Sequence, residues 1–144
     1  MILRLPTIFL DFDGVLHTMG NTGYKPFHQL GLLERELSTV TCDFQIVVSS
    51  SWRFHYPLEE LRGQLGTLSG RVTGVTPEIR PCSYQRYHEI KEVVDVYRLE
   101  HWMAVDDAVN EFPPECENLL ACDPRHGLQE RDARALREWL MQSA

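Results

Sequence analysis

No stretch of the 144 residues approaches the roughly 20 consecutive apolar residues of a membrane-spanning helix, so no contact with the bilayer interior is expected. Cysteine is sparse. Cys42, Cys82, Cys116 and Cys122 form no CxxC pair and have no histidines at metal-ligand spacing, which argues against a zinc framework and leaves reduced thiols. Positive charge is in deficit, at 14 Lys and Arg against 21 Asp and Glu, for a net charge of −7. That balance excludes a generally basic nucleic-acid-binding surface, though not a local one. Internal repeats, low-complexity tracts and linker-like stretches are lacking, as is the cleavage region that a signal peptide would carry. With 43% apolar and 24% charged residues the chain is not disordered. One domain over residues 1–144, in the cytoplasm, is the expectation.

What the chain does have is alternation. Short apolar runs occur at TIFL (7–10), FQIVV (44–48), RVTGV (71–75), WMAV (102–105) and NLLA (118–121). Between them apolar residues fall at helical spacing: Leu30, Leu33, Leu37 and Val40; Leu58, Leu61, Leu65 and Leu68; Tyr87, Ile90, Val94 and Tyr97; then Ala133, Leu136 and Leu140. Pro57 suits the first turn of the second helix and Ser83 the N-cap of the third. Near-continuous apolar strands alternating with helices predict an α/β fold around a parallel sheet.

In such sheets ligands bind beyond the carboxyl ends of the strands. The polar residues that follow the apolar runs should therefore share a site: Asp11 and Asp13, then Ser49 to Ser51, then Asp106 and Asp107. Each group alone has a plainer explanation. DFDG could be a turn with aspartates capping amides, SSSW a hydroxyl-rich loop, and DD a helix N-cap. Their joint order at strand ends favours a common site. Clustered carboxylates need a compensating cation, and an oxygen-only donor set points to magnesium, which works with phosphates. An aspartate beside it can act as nucleophile, and a second carboxylate two residues on as general acid and base. Phe12 would point into the core, and Gly14 would let the chain leave the strand sharply.

FLDFDGVLH, IVVSSSWR, a basic residue before a helix and AVDD together resemble the haloacid dehalogenase (HAD) superfamily of aspartyl-phosphate enzymes. SSSWR, GVTPE, RYHEIKEVV and the late GL are similar to the HAD domain of Swiss Army knife RNA repair proteins, and the resemblance runs from residue 7 to about 140. It implies a three-layer Rossmann-like fold with a parallel central sheet of about five strands. The intervals from Asp13 to Ser49 and from Ser51 to Arg86 are too short for a cap domain, so the site should be open. HTMGNTGYKPF (17–27) is a candidate flap.

The resemblance also implies roles. Asp11 matches the nucleophile and a magnesium ligand. Asp13 matches the general acid and base, reaching the metal through its backbone carbonyl. Ser49 matches the residue that hydrogen-bonds the transferring phosphoryl, with Ser50 beside it. Asp106 matches the third metal-ligating carboxylate, and Asp107, also on the metal side of the site, orients the coordinated water or supports the ligands from behind. Arg86 is the leading candidate for the cation that stabilises phosphoryl charge, ahead of Lys91 and Arg80; many relatives use lysine there. Gly14, Ser50, Arg53 and His17 are the candidate substrate contacts. Arg53 could equally tie its loop to a carboxylate, and Trp52 could be packing or a stacking surface for a base. The activity implied is a magnesium-dependent phosphatase acting on a nucleotide or a nucleic-acid terminal phosphate. The alternatives are a non-catalytic binding module on the same fold, or phosphotransfer to an acceptor other than water.

Overall fold

The apolar runs are too short for helices and are covered on both sides, so they become strands. In the computed structural model, which describes residues 1–18 and 26–143, the order of elements is β1 (Thr7–Leu10), α1 (Leu30–Leu37), β2 (Gln45–Val48), α2 (Leu58–Gly63), β3 (Val72–Val75), α3 (Gln85–Tyr97), β4 (Trp102–Asp106), β5 (Leu119–Ala121) and α4 (Glu130–Gln142). The described residues form one five-stranded, all-parallel sheet in the order β3-β2-β1-β4-β5. Of the three inner strands, β1 and β2 are buried at every position and β4 at all but Met103, as expected of a sheet covered on both faces.

Alternation along each strand divides the core in two. Ile8, Leu10, Ile46, Val48 and Val105 pack against Leu33 and Leu37 of α1, Leu61 of α2 and Leu136 and Leu140 of α4. Phe9, Val47 and Ala104 face the other way, toward Ile90, Val93 and Val94 of α3. Helices on both faces make the three-layer, Rossmann-like arrangement. None of the described helices is long and apolar enough to cross a membrane. All four cysteines are unpaired, and burial pushes the Cys122 thiol well above its ordinary range, leaving it protonated at neutral pH.

Register positions the site. Leu10 lies opposite Val48 on β2 and Val105 on β4. The next residues, Asp11, Ser49 and Asp106, therefore reach the carboxyl edge at one level. Ladder-type bonds continue one step further, from the Asp11 N–H to the Val105 carbonyl (3.0 Å) and from the Ser49 N–H to the Leu10 carbonyl (2.8 Å). Strand order reverses between β1 and β4, and this is where a doubly wound sheet opens a crevice.

Two local expectations differ from the structure. α3 is entered through Tyr84 in the left-handed conformation (φ 54°), so Ser83 lies one residue too early to cap it. The second helical pattern does not continue as α-helix to Leu68. α2 ends at Gly63, and Leu65 and Leu68 are buried on either side of the start of a 3₁₀ stretch, Gly66–Arg71. There Gly66 is left-handed, and the Glu34 carboxylate accepts from the Thr67 N–H (2.8 Å) and hydroxyl (2.7 Å). Residues 19–25 of the candidate flap lie outside the described residues.

Candidate active site

The DFDG segment turns sharply away from β1. The Phe12 carbonyl accepts from the Leu16 N–H (2.9 Å), and the Gly14 N–H donates to the His17 carbonyl (2.9 Å). Phe12 is fully buried and anchors the turn edge-on against Phe27 and Trp52. Gly14 has φ 76°, and a β-carbon there would overlap the Asp107 carboxylate. Its place is thus to back a site carboxylate closely as well as to turn the chain. The turn is held from behind by the loop before α4, where the Leu128 N–H donates to the Val15 carbonyl (2.7 Å).

Asp11, Asp106 and Asp107 each offer a carboxylate oxygen, and these atoms lie within 4.8 Å of one another. Asp11 and Asp106 are 3% and 1% exposed, too buried for water to screen their repulsion. Arg86, from the first turn of α3, compensates. Its Nη1 lies 2.9 Å from Asp106 Oδ2 and 3.2 Å from Asp11 Oδ2. The Ala108 N–H also donates to Asp106 Oδ1 (2.8 Å). Burial first, then the Asp106 charge, hold the Asp11 carboxyl well above its ordinary value, with Arg86 opposing. Burial raises Asp106 likewise, against Arg86 and the Ala108 amide. Arg86 is itself raised, because the Asp106 and Asp11 charges outweigh the effect of its burial. An all-oxygen donor set of this kind, with more negative charge than one guanidinium balances, fits a hard divalent cation.

A pH dependence follows. Without metal, the folded state keeps on Asp11 and Asp106 protons that the unfolded chain releases above about pH 4. The folded state then binds more protons, so this contribution to stability falls as pH rises from about 4 through the raised folded-state range. In thermal melts with chelator, wild type should lose stability relative to Asp11→Asn between pH 5 and pH 8. A constant difference between the two proteins would contradict the raised Asp11.

Asp13 does not join the carboxylate cluster. Its Oδ1 lies 2.7 Å from His17 Nε2 and accepts from the Trp52 indole N–H at 3.1 Å. His17, a candidate substrate contact, is fully buried, and its Nδ1 accepts from the Phe27 N–H (3.2 Å). Arg53, another such candidate, is 4% exposed at its side chain and donates to the Ser50 and Thr76 carbonyls and to Glu89 Oε1, each at 2.9 Å. These bonds tie the loops after β2 and β3 to α3, the loop-tying alternative weighed from the sequence. The Ser50 hydroxyl accepts from the Trp52 N–H and caps the 3₁₀ turn Ser51–Phe54. Lys91 pairs with Asp95 (3.3 Å), while Arg86 reaches the carboxylates.

Two buried hydroxyls, Ser49 Oγ and Thr76 Oγ1, have no hydrogen-bond partner among the described residues. Thr76 follows β3 as Asp11 follows β1, and its N–H donates to the Val48 carbonyl (3.0 Å). The strand-end pattern would have found it had the third run been included. Trp52 as a partner of Asp13, and Glu89 as a partner of Arg53, have no comparable sequence signal.

Residues 7–133 match a family model described as the HAD domain in Swiss Army Knife RNA repair proteins. The chain belongs to this family. No curated protein and no solved structure matches it. Family membership implies phosphatase or hydrolase chemistry in general terms, and the all-parallel sheet brings Asp11, Asp106 and Asp107 together at its strand ends.

Proposed function

We propose that this HAD domain is a magnesium-dependent phosphohydrolase that forms an aspartyl-phosphate on Asp11 and acts on the terminal phosphate of a nucleotide or nucleic acid. The observation that carries the reading is the convergence of Asp11, Asp106 and Asp107 within 4.8 Å, beside Arg86. Asp11, Asp106 and Asp107 would hold magnesium, with the Asp13 backbone carbonyl as the further ligand that the resemblance implies. When bound, the ion supplies the positive charge that lets an anionic phosphate approach buried carboxylates. Asp11 attacks phosphorus, and Arg86 stabilises the charge that develops on the phosphoryl oxygens. Ser49 offers a hydroxyl whose burial without a partner costs about 1–3 kcal/mol, a cost that a phosphoryl oxygen would relieve. Asp13 gives a proton to the leaving oxygen and later takes one from the attacking water.

Three features support a chain end or nucleotide as substrate. The family description concerns RNA repair. The cleft beside Arg86, walled by Phe54, Gln85 and Glu111, has a volume of about 200 Å³, small for a pocket that encloses its ligand. Phe54 and Tyr56, on the segment after Ser49–Ser51, are 50% and 44% exposed and offer ring faces on which bases can stack. The Arg53 guanidinium lies 4.2 Å from the Phe54 ring centre and backs that ring.

The test is phosphate release from 3′- and 5′-phosphorylated oligonucleotides, nucleotides and small phosphomonoesters, with and without magnesium. Magnesium-dependent release is expected. No turnover together with no metal binding would leave a non-catalytic binding module, and turnover only with an added alcohol acceptor would indicate phosphotransfer. Phe54→Ala with Tyr56→Ala should raise KM for an oligonucleotide about fivefold relative to that for an aryl phosphate, since one stacked base is worth at least about 1 kcal/mol. Equal effects on both substrates would remove the stacking surface from the account.

A further inference from the structure

Asp13 is held in an unusual way for a residue that has to move a proton. Both of its hydrogen-bond donors among the described residues, His17 Nε2 at 2.7 Å and Trp52 Nε1 at 3.1 Å, converge on Oδ1. A carboxylate oxygen has two lone pairs, so two donors saturate it. The direction of the His17 bond is set from its far side. Nδ1 accepts from the Phe27 N–H, which places the ring hydrogen on Nε2, facing Asp13. Trp52 has an indole N–H that can only donate.

Neither ring is free to swing. His17 is fully buried, edge-on to Phe27 with 5.3 Å between ring centres. Trp52 is wedged among Phe12 (5.7 Å), Phe27 (5.1 Å) and Tyr56 (5.4 Å). The Asp13 side chain remains 38% exposed, so the carboxylate is fixed on one oxygen and accessible.

We infer that Trp52 and His17 are positioning residues that hold Asp13 Oδ1 and leave Oδ2 as the atom that carries the proton. This rests on the phosphatase reading and adds the residues that make its proton transfer efficient. In the first step the bond from Asp11 to phosphorus forms and the bond to the leaving oxygen breaks. The Oδ2 proton passes to that oxygen, releasing an alcohol and leaving Asp13 as a carboxylate. Charge then develops on a group already engaged by two N–H donors, which strengthens both bonds. In the second step water attacks the phosphorus of the aspartyl-phosphate. Its proton returns to Oδ2, inorganic phosphate departs and Asp11 is regenerated.

A role in proton delivery has a signature that a packing role lacks, namely dependence on the leaving group. 4-Nitrophenolate needs little protonation to depart, whereas an alkoxide needs a full proton. The experiment measures kcat/KM, which reports steps through phosphoryl transfer, for 4-nitrophenyl, phenyl and alkyl phosphates. It compares wild type, Trp52→Phe and Asp13→Asn, with thermal melts on each protein. Trp52→Phe keeps an aromatic ring and removes the N–H. Its loss should be about tenfold larger on the alkyl ester than on the 4-nitrophenyl ester, in the same order as the loss in Asp13→Asn. His17→Gln, a second variant, should show the same order.

Equal losses on every ester, or no loss, would overturn the role of Trp52 while leaving the phosphatase reading intact. A leaving-group trend in Asp13→Asn alone would do the same. Failure of wild type on every ester would defeat the phosphatase reading and this inference together.

Discussion

Asp11→Asn is expected to lower phosphate release by about 10⁴-fold or more while the protein stays folded. The amide has nearly the shape of the carboxylate, but its nitrogen and oxygen are far poorer nucleophiles, so the covalent step fails at its first bond. Retention of the fold follows from the charges. Asp11 sits 3% exposed beside Asp106 and Asp107, and Arg86 retains its 2.9 Å contact with Asp106 when Asp11 becomes neutral. Removing one of three clustered negative charges relieves repulsion in the metal-free protein. Its melting temperature at neutral pH should therefore equal or exceed that of wild type. Full activity in this variant would sink the mechanism, and loss of activity through unfolding would show in the melt.

Arg86→Met should cost about 10²–10³-fold in kcat, the scale on which one fixed donor to developing oxyanion charge is usually worth removing. Arg86 has a second duty, because its guanidinium stands between two buried carboxylates. Leaving them uncompensated destabilises the metal-free fold by about 3–5 kcal/mol, on the scale of breaking a buried ion pair. Magnesium should recover part of that stability, since it would provide the missing positive charge at the same carboxylates. Arg86→Lys separates the two duties. A lysine supplies charge without the planar fork, so it should retain more activity than Arg86→Met. Comparable kinetics in Arg86→Met and wild type would transfer the role to another cation.

Much of the site can be read from the sequence because it follows from strand register. Once TIFL, FQIVV and WMAV are adjacent parallel strands, Asp11, Ser49 and Asp106 follow at their ends with little freedom. The same physics makes the layers legible, since i, i+3 and i+4 apolar spacing places Leu33 and Leu37, Ile90 and Val94, and Leu136 and Leu140 against the sheet. What escapes is geometry made by turns. Asp13 meets Trp52 only because the DFDG turn and the 3₁₀ turn Ser51–Phe54 fold toward each other, across 39 positions of sequence. Arg53 and Glu89 meet across 36 positions, inside a buried pair. The left-handed Tyr84 that moves the start of α3 past Ser83 is a backbone choice that no side-chain pattern announces.

Covalent transfer of a phosphoryl group to Asp11 is the step on which the proposed reaction depends. It is tested most directly by rapid quenching of the magnesium-loaded protein during turnover, borohydride reduction of any acyl-phosphate, and peptide mass spectrometry to locate the reduced residue. The expected result is a substrate-dependent modification at residue 11, absent from Asp11→Asn and from protein quenched before substrate is added. Steady turnover with no trapped acyl-phosphate, or with the modification at another residue, would contradict it.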